Sequence, residues 1–382
     1  MCRSTQPLHG ILENRLFRWR RYAITTLLMI AATSLLQYTT LPVYGQYEDS
    51  DAGYIDSAVV TNRFRLRYDA GFDLNRPDRA EYFYASWAEL SNHPHAIKDT
   101  NQILSAANNR GPLVGPESVD YQDISAYYEL RCLDRLSFFG ELPFRFVKLK
   151  GEIEGAEGED DKGDFDILEE NSPRSPQGFS DLQFGLKFAV WNESNFILTF
   201  QSRAFLPTGN PQHGLGTGHF STENGLLMNQ RLGESLTFMG QAKLWTPVGG
   251  GSNAGNIAIY GAGLGYNLFA QASQPERLGG RYLQITPLAE FVGWTVLNGF
   301  ETIGSPIDAD VVPNTAIRPD NGKPASKHHG VQNASGKTIV NAKLGFRTHF
   351  SPQDSVYIGW GHALTGSRWY QDFARIEYRR LF

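Results

Sequence analysis

Residues 178–210 have the sequence GFSDLQFGLKFAVWNESNFILTFQSRAFLPTGN, in which apolar and polar side chains alternate. The even-numbered positions from 182 to 190 are all apolar, whereas the odd-numbered positions from 181 to 187 are Asp, Gln, Gly and Lys. The same alternation resumes after the polar turn at residues 191–194 and ends at Pro207. A period of two over ten or more residues indicates a β-strand, so this stretch predicts a hairpin of two long strands.

The length of these two strands indicates a membrane protein. Ordinary strands have about 5–6 residues, but a tilted strand needs roughly 9–11 residues to cross a bilayer. In a transmembrane barrel, the apolar side chains face lipid and the polar side chains face the lumen. The hairpin therefore predicts an all-β fold, a transmembrane antiparallel up-and-down β-barrel with long extracellular loops.

The alternation recurs along most of the chain. It is present at residues 61–68 and in eleven segments from Asp120 to the C-terminus. Short turns, around residues 134, 192, 233 and 352, alternate with long loops at 150–177, 207–219 and 298–335. Short periplasmic turns and long outer loops produce this asymmetry. Since bacterial barrels have an even strand number, we expect twelve strands. The twelfth is supplied by residues 61–69 or 80–89, and fourteen strands are the alternative.

The first 45 residues have the pattern of a secretory signal peptide. Five arginines precede an apolar run from Tyr22 to Leu36, and the residues Val43-Tyr44-Gly45 precede Gln46. This run is shorter than the roughly 20 residues of a spanning helix, and a retained anchor is the alternative. We divide the chain into the signal peptide (1–45), an N-terminal segment with the first strand or strands and a lumen or loop segment (46–118), and the main part of the barrel (119–382).

Charge and cysteine content constrain the partners. Cleavage after residue 45 leaves 30 basic and 39 acidic side chains, a formal charge of −9, which argues against binding to nucleic acid. Cys2 lies in the predicted signal peptide, so the exported chain keeps only Cys132 and has no internal disulfide.

The C-terminal segment alternates up to its last residue. Its final strand resembles the recognition signal read by the barrel assembly machinery, in which Tyr378 and Phe382 are the predicted signal residues. We therefore expect the partners to be outer-membrane lipid, the barrel assembly machinery and a small-molecule solute. The expected location is the outer membrane of a Gram-negative-type (diderm) bacterium.

Charged side chains on the polar faces of the predicted strands are the candidate lumen residues. They either form an electrostatic constriction that selects solutes, or form a paired network that fills a narrow lumen. The candidates are Arg63, Arg65, Arg67, Asp123, Glu129, Arg131, Glu141, Arg145, Asp181, Lys187, Arg203, Lys243, Glu290, Lys343, Arg347, Arg375, Glu377 and Arg379.

Three short motifs of the central hairpin resemble a known family. They are Gly178-x-x-Asp181-Leu182, Gly185-Leu186-Lys187-Phe188 and Leu206-Pro207-Thr208-Gly209. This pattern is similar to that of the outer-membrane β-barrel family named for the meta-pathway of phenol degradation, which is related to fatty-acid-transporter-like barrels. The resemblance implies uptake of aromatic or other hydrophobic compounds.

Metal and nucleotide sites are weakly supported. The acidic loop 150–177 offers carboxylates to Ca²⁺, but without EF-hand spacing we expect a solvated loop. The loop histidines, His93, His95, His213, His219, His328 and His329, match no metal geometry. Three alternate glycines at 261–265 lie on a strand with no helix after it, so they make room in the lumen and do not bind a nucleotide. We expect neither a metal nor another cofactor.

Catalysis has one candidate cluster. His219, Ser221 and Asn224 supply the base, nucleophile and orienting group that a lipid hydrolase needs, but these residue types are common in Gly/Ser-rich loops. We therefore expect a non-enzymatic channel or transporter for passive uptake of small solutes. A membrane-embedded hydrolase, and a structural barrel sealed by side chains and the 88–118 segment, are the alternatives.

Overall fold

The computed structural model describes residues 52–86, 111, 118–150, 175–249, 253–268, 283–303, 330–366 and 369–382. The predicted signal peptide, residues 88–110, most of the acidic loop and four of the loop histidines (93, 95, 328 and 329) lie outside these ranges. The strands of the described residues are β1 (Arg63–Leu74), β2 (Ser118–Leu133), β3 (Leu136–Lys150), β4 (Gln177–Phe179), β5 (Leu182–Asn192), β6 (Phe196–Leu206), β7 (Phe220–Leu232), β8 (Leu236–Val248), β9 (Ile257–Tyr266), β10 (Gln284–Val296), β11 (Phe300–Ile303), β12 (Gly330–Asn333), β13 (Thr338–His349), β14 (Asp354–Ala363) and β15 (Asp372–Leu381).

Twelve of these strands close into an antiparallel barrel. Each pairs with its neighbour along the chain, and β1 pairs with both β2 and β15, which closes the sheet. The short strand β4 continues the β5 side of β3, and β11 and β12 form a separate hairpin. The predicted central hairpin is confirmed as β5 and β6, and the predicted number of twelve strands is confirmed.

The twelfth strand is β1, and the prediction of a weaker strand at 80–89 is wrong for its described part. Residues 79–81 form a single 3₁₀ turn, and residues 82–86 are not in a strand. Ala80 and Glu81 both have a φ of 52°, which is the left-handed region and incompatible with a β-strand. The aromatic side chains that follow pack inside the barrel, as described below.

The two ends of the barrel differ in the length of their connections. We call the end with the tight turns at 133–136, 192–196, 232–236 and 349–354 the short-turn end, and the opposite one the long-loop end. Strand β1 begins and β15 finishes at the short-turn end. The four predicted short turns thus lie at one end, which also carries the longer connection between Tyr266 of β9 and Gln284 of β10.

The outer surface of the barrel is apolar. Large hydrophobic side chains are exposed on the outward faces of the strands, and they include Phe138, Phe184, Phe188, Leu244, Leu264, Phe291, Leu344, Trp360 and Ile376. The charged side chains of the same strands lie buried on the inward faces. This polarity, apolar outside and charged inside, is that of a barrel with lipid around it. No helix in the described part of the chain is long and apolar enough to cross a membrane.

Two chain segments occupy the lumen. We call residues 52–61, which lead into β1, the plug segment, and residues 79–86, which follow it, the cap segment. The plug segment contributes to an apolar cluster with Ile55, Met239, Leu288 and Val292. The cap segment contributes to a larger cluster towards the long-loop end, which contains Tyr84, Tyr121, Leu215, Trp245, Trp369 and Phe373. The apolar core of this protein therefore lies inside the barrel.

Candidate functional site

The plug segment is joined to the barrel wall by its own backbone. The Glu290 carboxylate of β10 accepts hydrogen bonds from the N–H groups of Gly53, Tyr54 and Ile55 at 3.2, 2.9 and 3.1 Å. Arg347 donates to the carbonyl oxygen of Ala52 at 2.8 Å. Buried backbone groups outside secondary structure need such partners, and here inward-facing charged side chains provide them.

Asp56 makes the ion pairs of the plug segment. Its Oδ2 lies 3.1 Å from Arg203 Nη2 and 2.9 Å from Lys243 Nζ, and it accepts a hydrogen bond from Gln201 Nε2 at 3.1 Å. Burial opposes ionisation of this carboxyl group, but the charges of Arg203 and Lys243 hold the pKa of Asp56 well below its usual range. The segment is thus seated as an anion between two cations.

The alternate glycines of β9 make room for the plug segment. A β-carbon at Gly261 would lie 3.4 Å from Ile55 Cγ1, and one at Gly263 would lie 3.3 Å from Ile55 Cδ1. Gly53 is equally confined, because a β-carbon there would lie 2.4 Å from the Tyr357 ring. Further along, Thr199 donates to the carbonyl oxygen of Ala58 at 2.5 Å. The segment is therefore fitted to the wall by shape and by hydrogen bonds.

Most of the predicted lumen residues form buried ion pairs, which fall into several separate groups. Glu129 binds Arg63 at 3.0 Å and Lys187 at 3.2 Å, and Arg145 pairs with Asp123 at 2.8 Å. Glu141 pairs with Arg65 and Arg67, and Glu377 pairs with Arg65, Arg347 and Arg379. Glu223 pairs with Arg203 and Lys243, and Asp69 pairs with Arg67 and Arg375. The backbone N–H of Arg131 donates to Asn62 Oδ1 at 2.7 Å. The arrangement matches the interpretation of a paired network.

Three acidic partners in these ion pairs were not among the sequence candidates. Asp69 continues the alternation of Arg63, Arg65 and Arg67 on β1, so its position carried a signal. Glu223 lies on β7, where the alternation is poor. Asp56 precedes the first strand, in a stretch without alternation, so nothing in the sequence indicated that its side chain faces the lumen.

Asp181 has a structural function in the hairpin motif. Its carboxylate accepts hydrogen bonds from Gly209 N–H at 3.0 Å, and from the N–H and hydroxyl of Thr217 at 2.9 and 3.0 Å. The hydroxyl of Thr208 accepts from Leu182 N–H at 2.9 Å. A β-carbon at Gly216 would lie 2.3 Å from Asp181 Oδ1. The motif residues thus fasten the 207–217 loop to the barrel rim.

The candidate catalytic cluster is not assembled. The two ring nitrogens of His219 face the carbonyl oxygens of Phe220 and Glu81, at 3.3 and 3.2 Å. Ser221 is buried, and its hydroxyl has no hydrogen-bond partner among the described residues. Asn224 is exposed and pairs with Ser202 on the outer face. A hydrolase needs nucleophile and base in hydrogen-bond contact, so the described residues give the hydrolase alternative no support.

A cavity of about 270 Å³ remains between the plug segment and the cap segment. Its lining includes Tyr54, Asp56, Tyr82 and Phe83 from the two segments. Of the described residues that line it, ten are aromatic, seven are cationic and five are anionic. The lumen therefore holds a small, partly open space whose lining is rich in aromatic side chains and has more basic than acidic residues.

The cap segment closes this cavity towards the long-loop end. The Tyr82 ring packs on Trp245 and Trp369, with ring centroids 5.1 and 5.2 Å apart. The Phe83 ring packs on Tyr121 at 4.5 Å, and the Arg145 guanidinium lies 3.9 Å from the Phe83 centroid. Arg79 forms an ion pair with Glu301 of the β11–β12 hairpin. Contacts between aromatic rings and one buried ion pair thus hold the cap segment in place.

Comparison with known proteins gave similarities of architecture. No family model and no curated protein sequence matches the chain. A solved outer membrane channel from Pseudomonas putida F1 is 14% identical, with 87% of this chain and 100% of that chain covered and a TM-score of 0.44. The beta domain of the Bordetella autotransporter BrkA is 9% identical (84% and 100% covered, TM-score 0.40). The TodX monoaromatic hydrocarbon channel is also 9% identical (85% and 91% covered, TM-score 0.36). The resemblance to the meta-pathway family stays a prediction.

Proposed function

We propose that this protein is a channel for passive uptake of small solutes across the outer membrane of a diderm bacterium, and that the plug segment is its gate. One observation carries the proposal. No residue from 52 to 61 belongs to a strand, so the segment can leave the lumen without breaking any strand pairing of the barrel. The contacts it would lose are side-chain contacts and hydrogen bonds to its own backbone, and water can replace the latter.

The aromatic lining supports the kind of solute implied by the family resemblance. Aromatic side chains present large apolar faces to a solute, and ten of them line the central cavity among the described residues. The main competing function is a sealed structural barrel, in which the same contacts would close the lumen permanently. The two differ in whether the plug segment moves.

A reversible cross-link between the plug segment and the wall tests the gate. We would combine Ile55→Cys and Gly261→Cys in a Cys132→Ser background. A β-carbon at Gly261 would lie 3.4 Å from Ile55 Cγ1, and the sulfur of a cysteine at residue 55 takes this γ position, so the two cysteines lie close enough to be tested for a disulfide. The protein is reconstituted into liposomes, and the influx of small neutral, charged and aromatic solutes is measured before and after reduction.

We expect no flux through the oxidised protein and flux through the reduced protein, because only reduction frees the plug segment. The two single-cysteine variants are the controls, and their flux should not depend on the redox state. Equal flux in both states would show that the plug segment is not the gate. No flux through the reduced and the wild-type proteins would support the sealed barrel.

A further inference from the structure

Lys343 is a buried lysine that lies among aromatic rings. Its residue is 4% exposed and faces the central cavity. The ammonium nitrogen is 4.0 Å from the ring centroid of Tyr54, 4.8 Å from that of Phe373, 5.3 Å from that of Trp294 and 5.5 Å from that of Tyr370. Gly361 on the adjacent strand makes room for the stem, since a β-carbon there would lie 3.0 Å from Lys343 Cγ.

Among the described residues, Lys343 makes no close ion pair, although the charges of Glu290 and Asp69 act on it. In the described part of the chain, no hydrogen bond or ion pair joins its ammonium group to a carboxylate. A buried ammonium group is costly to leave unpaired, and contact with ring faces offsets only part of that cost. The group therefore retains N–H donors for an anion.

The plug segment explains why Lys343 is unpaired. Glu290 lies directly opposite Lys343 in the register of β10 and β13, with both side chains facing inward. The Glu290 carboxylate is instead occupied by the three N–H groups of residues 53–55. Seating of the plug segment thus engages the carboxylate of Glu290, which lies opposite Lys343, and places the Tyr54 ring against the Lys343 ammonium group.

The cavity next to Lys343 suits a small anion. Asp69, another carboxylate of the cavity lining, is already paired with Arg375 and Arg67. Cations outnumber anions among the described lining residues, seven to five. A volume of about 270 Å³ is close to the lower end of ligand pockets, at roughly 300 Å³, so a solute with one ring fits.

We infer that the central cavity binds a small aromatic carboxylate, with the carboxylate on the Lys343 ammonium group and the ring against Tyr54, Trp294, Tyr370 and Phe373. This inference rests on the proposed function, because it specifies the solute class that occupies the channel. It also requires the plug segment to be seated, since Tyr54 forms one wall of the site.

Calorimetric titration of the folded protein in detergent with benzoate tests the site. Benzamide has the same ring and nearly the same shape without the charge, and cyclohexanecarboxylate has the charge without the aromatic ring. We expect benzoate to bind at least tenfold more tightly than benzamide, because charge-assisted hydrogen bonds are the stronger ones. It should also bind several-fold more tightly than cyclohexanecarboxylate, because stacking on the four rings would be lost.

Three variants locate the site, and one serves as a control. Lys343→Met should lower benzoate affinity at least tenfold, and Lys343→Arg should restore most of it. Tyr54→Leu, which changes a residue outside the strands, should weaken binding several-fold. Lys148→Met removes the same charge from an exposed position and should leave the affinity unchanged.

The inference is overturned if the wild-type protein binds no benzoate, if benzamide binds equally well, or if Lys343→Met and Tyr54→Leu both bind like the wild type. These outcomes are independent of the channel itself, because titration measures no flux. Benzoate binding without flux through the reduced cross-link variant would refute the channel and keep the site. Flux without benzoate binding would refute the site and keep the channel.

Discussion

The ion pairs of Asp56 allow an estimate of the free energy that holds the plug segment in the lumen. Asp56→Asn keeps the size of the side chain and removes its charge. Lys243 then retains Glu223 at 3.1 Å, and Arg203 retains the same carboxylate at 3.7 Å. The substitution therefore weakens the seating of the plug segment without leaving either cation wholly unpaired.

The size of the effect follows from the burial of the three groups. The Asp56 side chain is 15% exposed, that of Arg203 12% and that of Lys243 6%. Removing one partner of a buried ion pair costs about 3–5 kcal/mol. Because Glu223 still faces both cations, we expect the lower end, about 3 kcal/mol. At about 1.4 kcal/mol for each factor of ten, the population with the plug segment displaced should rise about 100-fold.

Amide hydrogen exchange at Gly53, Tyr54 and Ile55 measures this population directly. These N–H groups are protected by Glu290 only while the segment is seated. Exchange should become about 100-fold faster in Asp56→Asn (~3 kcal/mol at ~1.4 kcal/mol per tenfold), with a parallel rise in liposome flux. Asp134→Asn, in an exposed turn, is the matched control. An exchange rate that changes by less than about threefold would refute the reasoning, because it would correspond to under ~1 kcal/mol.

The pKa of the Asp56 carboxyl group predicts how flux through the channel depends on pH. Its pKa is low in the seated state and should return to about 3.9 in the displaced segment. The seated state therefore binds fewer protons, so its contribution is complete above about pH 4 and is lost as the pH falls through the depressed pKa. Wild-type flux should rise on acidification in this range, and the part of the rise due to Asp56 should be missing in Asp56→Asn.

Two further predictions concern the barrel. Asp181→Ala removes the acceptor of three hydrogen bonds and should destabilise the folded protein by about 3 kcal/mol; urea unfolding in detergent and proteolysis of the 207–217 loop measure this. An unchanged unfolding midpoint would contradict the fastening role of Asp181. Deletion of Phe382 should leave unfolded, protease-sensitive chain in the periplasm, measured by surface labelling against the full-length chain. Normal surface display of the shortened chain would remove Phe382 from the assembly signal.

The architecture was predictable from the sequence because a lipid-facing strand has a simple physical rule. Lipid requires an apolar side chain at every second position, and the lumen accepts polar ones between them. That rule placed β5 and β6, gave the correct strand number, and put residues such as Arg145 and Lys343 on the inward face. It misled at the described part of residues 80–89, where the alternation is weak and Tyr82, Phe83 and Tyr84 pack inside the lumen. The backbone just before them, at Ala80 and Glu81, is left-handed.

The content of the lumen was not predictable in this way. The plug segment has no periodicity, and its partner Glu290 lies 235 to 237 residues away along the chain, so no local pattern connects them. Alternation shows which side of a strand Lys343 is on, but not whether a carboxylate reaches it. That depends on the closure of the barrel, which brings β10, β13 and residues 53–55 together. The Glu290 carboxylate then accepts hydrogen bonds from the backbone of residues 53–55 and forms no ion pair with Lys343 among the described residues. The alternation of side chains along each strand therefore determines the wall of this barrel. Long-range packing determines which charged side chains of the lumen are available to bind a solute.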